Sequence, residues 1–397
     1  RPKLSPVCYE LIRSKNVANY KFVTQQNETV IQHTSHFFKG VEGMSVRLRS
    51  IFDEIPTYRP GECPDEEEGD QLIKMSSNEL PWGPSEKLRG VLIDAFGTIN
   101  RYPDFYKQDL SAGLADYTET RSENIFIDDG SRTLLQDLVR LVFDDGDEVV
   151  FGSPSFAAYA IDVMLAGGVG VKVPLDETWT YDLEGVENAI TDKTRMVLLC
   201  NPNNPTGTFL STPSIREFLS KIANRGILVV IDEAYRDFVT TEPFDESSKL
   251  VDEFDNVVLL RTFSKAFGMA GLRLGYGIAR PEIVDAVNKV VAEFSVSSLS
   301  QAIGTAMLRD ETIMSDLKHK RDIIVSEREG YERFLRDRGI GFIASQANFI
   351  MIPGRSMELF ARFRRHQLIV RPFDSPDGIR ITVGTPEQME KAREVWQ

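Results

Sequence analysis

Residues 257–277 read VVLLRTFSKAFGMAGLRLGYG. The first four are β-branched and aliphatic with no polar alternation, the pattern of a strand in a parallel sheet covered on both faces. That strand is expected to end at Arg261. Thr262, Ser264 and Lys265 follow just past its carboxyl end, where open α/β sheets bind their ligands. Gly268 and Gly271 turn the chain before Arg273. Two hydroxyls, an amine and a guanidinium suit a ligand carrying both a phosphate and a carbonyl. Taken alone, the stretch reads first as a surface lysine after a strand, with Arg273 capping a helix; other parts of the chain supply the remaining contacts.

From residue 125 onward, strands alternate with helices every 25 to 30 residues or so, roughly the rhythm of a doubly wound parallel sheet. Residues 125–127 read as a strand leading to Asp128-Asp129-Gly130-Ser131, and residues 132–143 as a helix. A glycine and a serine opening a helix after a strand offer free N–H groups and a positive dipole end to a phosphate, and equally make an ordinary N-cap. Residues 148–151 form the next strand, running to Pro154-Ser155-Phe156, and residues 195–200 another, ending in NPNNPTG at 201–207. Such a run forces a turn and projects amide side chains from the strand end. Residues 227–231 are wholly apolar and end in Asp232-Glu233-Ala234-Tyr235. An acid at the end of a buried strand is costly without a cation, and a protonated pyridine nitrogen would be one. Pyridoxal phosphate carries that nitrogen, a phosphate and an aldehyde. The aldehyde forms a Schiff base with a lysine that must be partly neutral, although an ordinary lysine has a pKa of about 10.4.

The flanking segments are read more coarsely. Residues 281–294 and 301–309 are expected to be helical, and 313–338 to form a long charged amphipathic helix. Short strands follow at 348–352, 369–371 and 379–383, then a closing helix at 386–396. Upstream, residues 73–79 enter a polar loop through a strand, Tyr58-Arg59-Pro60-Gly61 is a turn signal, and residues 65–70 are an acidic linker. Residues 1–50 are polar and mixed, with 10–13 expected to be helical and 25–34 extended. His33, Ser35 and His36 within them read as solvated surface groups. The sequence opens at Arg1, so processing or an upstream fused module is expected.

The 397 residues suffice for a large core and two domains, and 42% hydrophobic with 27% charged content fits a soluble globular chain. Against 46 basic residues stand 60 acidic ones, a net charge of -14 that argues against nucleic acid or a polybasic membrane anchor. Cys8, Cys63 and Cys200 are scattered and odd in number, which suits a reducing cytoplasm, and neither they nor the four histidines have metal-ligand spacing. No apolar run approaches the roughly 20 residues needed to span a bilayer.

With these motifs in view the chain resembles the fold-type I pyridoxal-phosphate enzymes, and among them the histidinol-phosphate aminotransferases, over about residues 51–397. YRPG at Tyr58, SSNELPWGP at Ser76, NRYPD at Asn100, NPNNPTG at Asn201, DEAY at Asp232, RTFSKAFGMAGLRLGYG at Arg261 and IRITVGTPEQ at Ile379 carry the resemblance. It implies an α/β fold with a large domain (83–293) holding a mostly parallel seven-stranded sheet, and a smaller α+β domain (294–397). Residues 51–82 would be an arm contributing to the small domain, and 1–50 an extension.

The resemblance further implies a homodimeric aminotransferase with amino-acid and keto-acid substrates, glutamate and 2-oxoglutarate among them. Lys265 would be the Schiff-base lysine and the base at the substrate Cα. Asp232 would keep the ring nitrogen protonated, and Asn204 and Tyr235 would bond the ring's 3′ oxygen. Phe156 would stack on the ring. Gly130, Ser131, Arg132, Thr262, Ser264 and Arg273 would line the phosphate end, with Tyr102 reaching it from the neighbouring subunit. Arg380 would clamp the substrate carboxylate, and Tyr58, Asn78, Asn204 and Arg371 would face the substrate.

Departures from the family pattern are Arg132-Thr133 where acidic residues usually follow Gly-Ser, and Glu293 and Ser295 where proline and asparagine flank a phenylalanine. The segment before Phe52 has no family counterpart. The altered charges at Arg132 and Glu293 predict a distal substrate group unlike imidazole phosphate. A decarboxylase resembling threonine-phosphate decarboxylase, and a cyclase or eliminase, are the alternatives within the cofactor class.

Overall fold

The computed structural model describes residues 48–58, 61–62 and 72–397. Two compact units divide it, Arg1–Asp53 and Glu54–Gln397. In the first, Ser50–Asp53 forms a single 3-10 turn. The elements expected at 10–13 and 25–34, the group His33, Ser35 and His36, Arg59 and Pro60 of the turn, and the acidic run 65–70 lie outside the described residues.

The described residues of the second unit form twelve strands: β1 (Ile73–Lys74), β2 (Ile125–Asp128), β3 (Glu148–Ser153), β4 (Val169–Pro174), β5 (Thr194–Cys200), β6 (Leu228–Asp232), β7 (Val257–Thr262), β8 (Gly275–Ala279), β9 (Phe349–Pro353), β10 (Leu368–Ile369), β11 (Arg371–Asp374) and β12 (Asp377–Thr382). Seven form the central sheet in the order β2-β8-β7-β6-β5-β3-β4. Only β8 opposes its neighbours β2 and β7, as the short link from β7 carries a 3-10 turn, Ala270–Leu272, instead of a crossover helix. Val257 to Leu260 are buried on both faces, as the run of aliphatic residues requires. The strand continues past its expected end because Arg261 is buried with a partner: its Nε donates to Glu233 Oε2 at 2.8 Å and its guanidinium lies 4.4 Å from the Phe244 ring centre.

A second cluster of buried side chains, among them Met75, Tyr331, Phe349, Phe363 and Ile381, surrounds the antiparallel sheet β11-β12-β9. Ile73, Leu80 and Trp82 pack against this cluster, and β1 pairs in parallel with β10. The long helix Glu311–Asp337 starts on an Asp310 cap that accepts from the N–H groups of Thr312 and Ile313. Its Ile324, Tyr331 and Leu335 enter the second cluster.

Two expectations change. The helix expected over 281–294 stops at Val287, and Phe294 takes a left-handed φ of 58° that stacks its ring on Tyr102 at 4.5 Å. Residues 369–371 are not one strand: Ile369 pairs with Lys74, whereas Arg371 pairs with Arg380 in the other sheet. Ile303 and Met307 of the helix Ser298–Arg309, together with Ile313, pack into the larger cluster, and Gly304 allows Leu274 and Leu110 to approach. Among the described residues no helix is long and apolar enough to cross a membrane.

Candidate active site

The strands β5, β6 and β7 end at a cavity of about 320 Å³ that Lys265 and Asp232 both line. Lys265 Nζ donates to the Ser77 carbonyl at 3.0 Å and sits 5.8 Å from the Tyr235 ring centre. Burial, helped by the charges of Arg380 and Arg273, lowers its pKa to about 8. Such an amine is mostly charged at pH 7 but about one-tenth neutral, far more than an ordinary lysine, and the neutral form is the one a nucleophile needs. Asp232 closes β6, where Tyr159 donates to Oδ2 at 2.6 Å and the Ala234 N–H to Oδ1 at 3.1 Å. Burial still pushes its carboxyl above the usual range, so a cation at this point would be strongly favoured. The Cys200 thiol beside it is pushed up to about 12 by burial and is inert as a nucleophile.

The other end of the cavity is an anion cradle. The helix Ser131–Val142 starts at Gly130, whose φ of 87° and missing side chain leave the helix end uncapped by any side chain. A Cβ on Gly275 would lie 2.3 Å from the Ser131 nitrogen, so close backbone approach dictates that glycine, while at Gly130 it is the left-handed φ of 87° that favours one. Ser264 Oγ accepts from Arg273 Nη1 at 3.4 Å, and Thr262 also lines the cavity. A helix N-terminus, two hydroxyls and a guanidinium fit a phosphate, and a buried carboxylate and a depressed lysine lie in the same cavity. The residues present therefore fit pyridoxal phosphate, whose phosphate, ring nitrogen and aldehyde need these three kinds of partner.

Opposite stands Arg380, on β12. Its Nη2 donates to the Ser76 carbonyl at 2.8 Å, its Nη1 to Asn204 Oδ1, and its guanidinium lies 5.2 Å from the Phe349 ring centre and 5.4 Å from that of Phe373. Burial lowers its pKa to about 10, which leaves it charged at neutral pH. Its Nε is buried with no partner, a donor that a carboxylate could satisfy. Tyr235 OH accepts from Asn78 Nδ2 at 2.9 Å and from Asn204 Nδ2 at 3.4 Å. Asn78 holds this position through a left-handed φ of 55° and a bond from its N–H to Thr382.

Tyr58, Phe156, Arg371 and Phe373 also line the cavity. Arg132 does too, but its Nε and Nη2 donate to the two oxygens of Asp162 at 3.0 and 2.9 Å. The charge exchange expected at this position is thus cancelled locally. Glu293 is exposed and does not line the cavity. Nor does Tyr102, which is 81% exposed. Ser77, Tyr159, Asp162 and Phe373 escaped the sequence reading. Of these only Tyr159 left a local signal, being an aromatic three residues after Phe156 at the start of a helix. Among the described residues no group of three or more metal-binding side chains is assembled.

Comparison with known proteins agrees with this chemistry. The family model described as aminotransferase class I and II matches residues 70–395. An aromatic amino acid aminotransferase of Mycolicibacterium smegmatis is 40% identical over 347 residues, 87% of this chain and 93% of that protein. Another, from Mycobacteroides abscessus, is 41% identical over 86% of this chain and 96% of its own. The histidinol-phosphate aminotransferase of Sinorhizobium meliloti, solved with pyridoxal-5'-phosphate, superposes with a TM-score of 0.78 at 27% identity, covering 89% of this chain and 97% of that one. These relatives favour transamination over the decarboxylase and cyclase alternatives. The chain belongs to the class I and II aminotransferases and is a pyridoxal-phosphate-dependent enzyme of that family.

Proposed function

We propose that this enzyme transfers the amino group of aromatic amino acids to an acidic keto acid such as 2-oxoglutarate, and the reverse. The observation that carries this reading is the pairing of a buried Arg380, its Nε unpartnered, with aromatic walls at Tyr58, Phe156 and Phe373 in one cavity. A carboxylate end and an aromatic side chain would both be accommodated. The names of the relatives at about 40% identity support the same substrate class.

In this reading Lys265 would hold the cofactor at its aldehyde, and Gly130, Ser131, Thr262, Ser264 and Arg273 would hold its phosphate. When bound, pyridoxal phosphate supplies an electron sink for the bond broken at the substrate Cα. Asp232 holds a proton on the ring nitrogen. Asn204 and Tyr235 would hold the ring's 3′ oxygen, and Phe156 would pack against the ring face. Arg380 orients the substrate by its carboxylate, and Lys265 Nζ moves the proton off Cα.

The reading includes a homodimer. The helix Lys87–Phe96 exposes Ile93 (65%) and Phe96 (64%), and Ile99, Tyr102 and Tyr106 extend the apolar surface. A patch of this kind on a single chain favours burial against a second copy, with Tyr102 reaching the neighbour's phosphate end. A cytoplasmic location, and an appendage role for residues 1–50, complete the proposal. Product analysis of the purified holoenzyme with a panel of amino acids and 2-oxoglutarate tests it. Phenylalanine, tyrosine and tryptophan should give the highest kcat/KM; a higher value for histidinol phosphate or an aliphatic amino acid rules the aromatic reading out.

A further inference from the structure

We propose that Arg132, gripped edge-on by Asp162, is a specificity residue that offers the substrate a charge-balanced guanidinium plate, stacking an uncharged planar side chain and refusing a distal anion. The inference rests on the aromatic reading above and assigns part of its selectivity to one ion pair.

A guanidinium has two recognition surfaces. Its edge carries N–H donors that match carboxylate or phosphate in bidentate fashion, and its faces stack on aromatic rings. In Arg132 the Nε and Nη2 donors are taken, bonding Asp162 Oδ2 at 3.0 Å and Oδ1 at 2.9 Å. The Asp162 side chain is 0% exposed and also accepts from Gln136 Nε2 at 2.9 Å, so the acceptor is fixed by packing as well as by charge. An incoming phosphate or carboxylate that captured this edge would strand a buried carboxylate, and one that met the remaining Nη1 and Nη2 hydrogens would find a guanidinium whose charge Asp162 already balances.

The faces are used differently. Arg132 remains 36% exposed and lines the cavity, with its Cζ 5.7 Å from the Tyr58 ring centre. Tyr58 meets Phe156 edge-on with ring centres 6.4 Å apart. The Arg132 guanidinium and the Tyr58 ring thus adjoin in the cavity, where a phenyl, hydroxyphenyl or indole ring can pack against them, while the Phe156 face is left to the cofactor. The acidic partner substrate must use a different distal cation, and Arg371 on β11 lines the same cavity.

The test uses holoenzyme carrying Asp162→Asn, which keeps the size of the side chain and releases the charge of Arg132. The readouts are kcat/KM for L-phenylalanine and for histidinol phosphate with 2-oxoglutarate, and dissociation constants for unreactive 3-phenylpropanoate. The phenylalanine-to-histidinol-phosphate ratio should fall about tenfold or more, mainly through KM, because a freed charge acts on binding. General loosening of the helix would lower both substrates together and leave the ratio unmoved, which would overturn the inference. A second variant, Arg132→Leu with Asp162→Leu, removes both charges without leaving either buried alone. It should weaken 3-phenylpropanoate binding about threefold to tenfold through loss of the plate; unchanged binding there overturns the inference even if the first variant fails to fold. Wild-type enzyme that prefers histidinol phosphate to phenylalanine defeats the aromatic reading itself. A wild-type preference for phenylalanine with no response in either variant defeats this inference alone.

Discussion

Tyr159 donates its hydroxyl to Asp232 Oδ2 at 2.6 Å, from the first turn of the helix Ala158–Leu165 onto the last residue of β6. The bond is short and charge-assisted, with Tyr159 fully buried and Asp232 half-buried at the cavity. It orients one carboxylate oxygen while the Ala234 N–H orients the other. Tyr159→Phe should weaken cofactor binding about tenfold and leave the fold intact, since it deletes one bond to a charged group, worth about 1.5 kcal/mol. Cofactor titration of the variant measures it, and an unchanged affinity would show that Asp232 needs no such support.

Asp232→Ala should lower turnover by about 10²-fold or more, equivalent to roughly 2.7 kcal/mol. Stability of the cofactor-free variant should rise or stay level, because burial without a cation holds the carboxyl above its usual range. Thermal unfolding with and without cofactor separates these effects. An equal loss of stability in both forms would make Asp232 a structural residue.

The holoenzyme should be yellow and bleach with borohydride. Lys265→Ala should bind the cofactor without covalent attachment and show no turnover. Detectable full activity in this variant excludes Lys265 from the chemistry.

Cofactor attachment should depend on pH through Lys265. Its pKa in the folded protein is lowered from 10.5 to about 8, and the neutral amine is the reacting form. The rate of attachment to cofactor-free protein should therefore rise with pH and level off above about 8. The unfolded chain binds more protons at this lysine between those two values, so the group makes the cofactor-free protein more stable as pH rises through that window. Stopped-flow absorbance across pH checks the first part; a midpoint near 10.5 would mean the lysine is fully solvated.

Tyr102 lies far out on its own surface, and the dimer proposal assigns it to the partner's site. Tyr102→Ala and Lys265→Ala should each be nearly inactive. Mixed and reassociated, they should regain about a quarter of wild-type activity, because half the dimers are hybrids with one intact site each. Absence of complementation in demonstrated hybrids would put Tyr102 to work within its own chain.

Deleting residues 1–50 should leave cofactor affinity unchanged, since the family match begins at residue 70. Loss of cofactor binding in the truncated protein would end the appendage proposal.

The sequence alone determined the features that local chemistry dictates. Aliphatic runs without alternation identified β5, β6 and β7, because a strand covered on both faces has no polar side. The residues just past each run, Asn204, Asp232 and Lys265, line one cavity because parallel strands deliver all their carboxyl ends to one edge of the sheet. Tertiary structure decided what depends on partners distant in the chain. Nothing near Arg261 says that Glu233 would bury with it and lengthen β7. Nothing near Arg132 says that Asp162, thirty residues on, would occupy its edge. The sequence counts formal charges one residue at a time, whereas the field a substrate meets is set by which charges are paired and how deeply. The same limit applies to Val370, which hands the chain from one sheet to another: its neighbours Ile369 and Arg371 differ in pairing because Lys74 and Arg380 arrive from opposite ends of the chain.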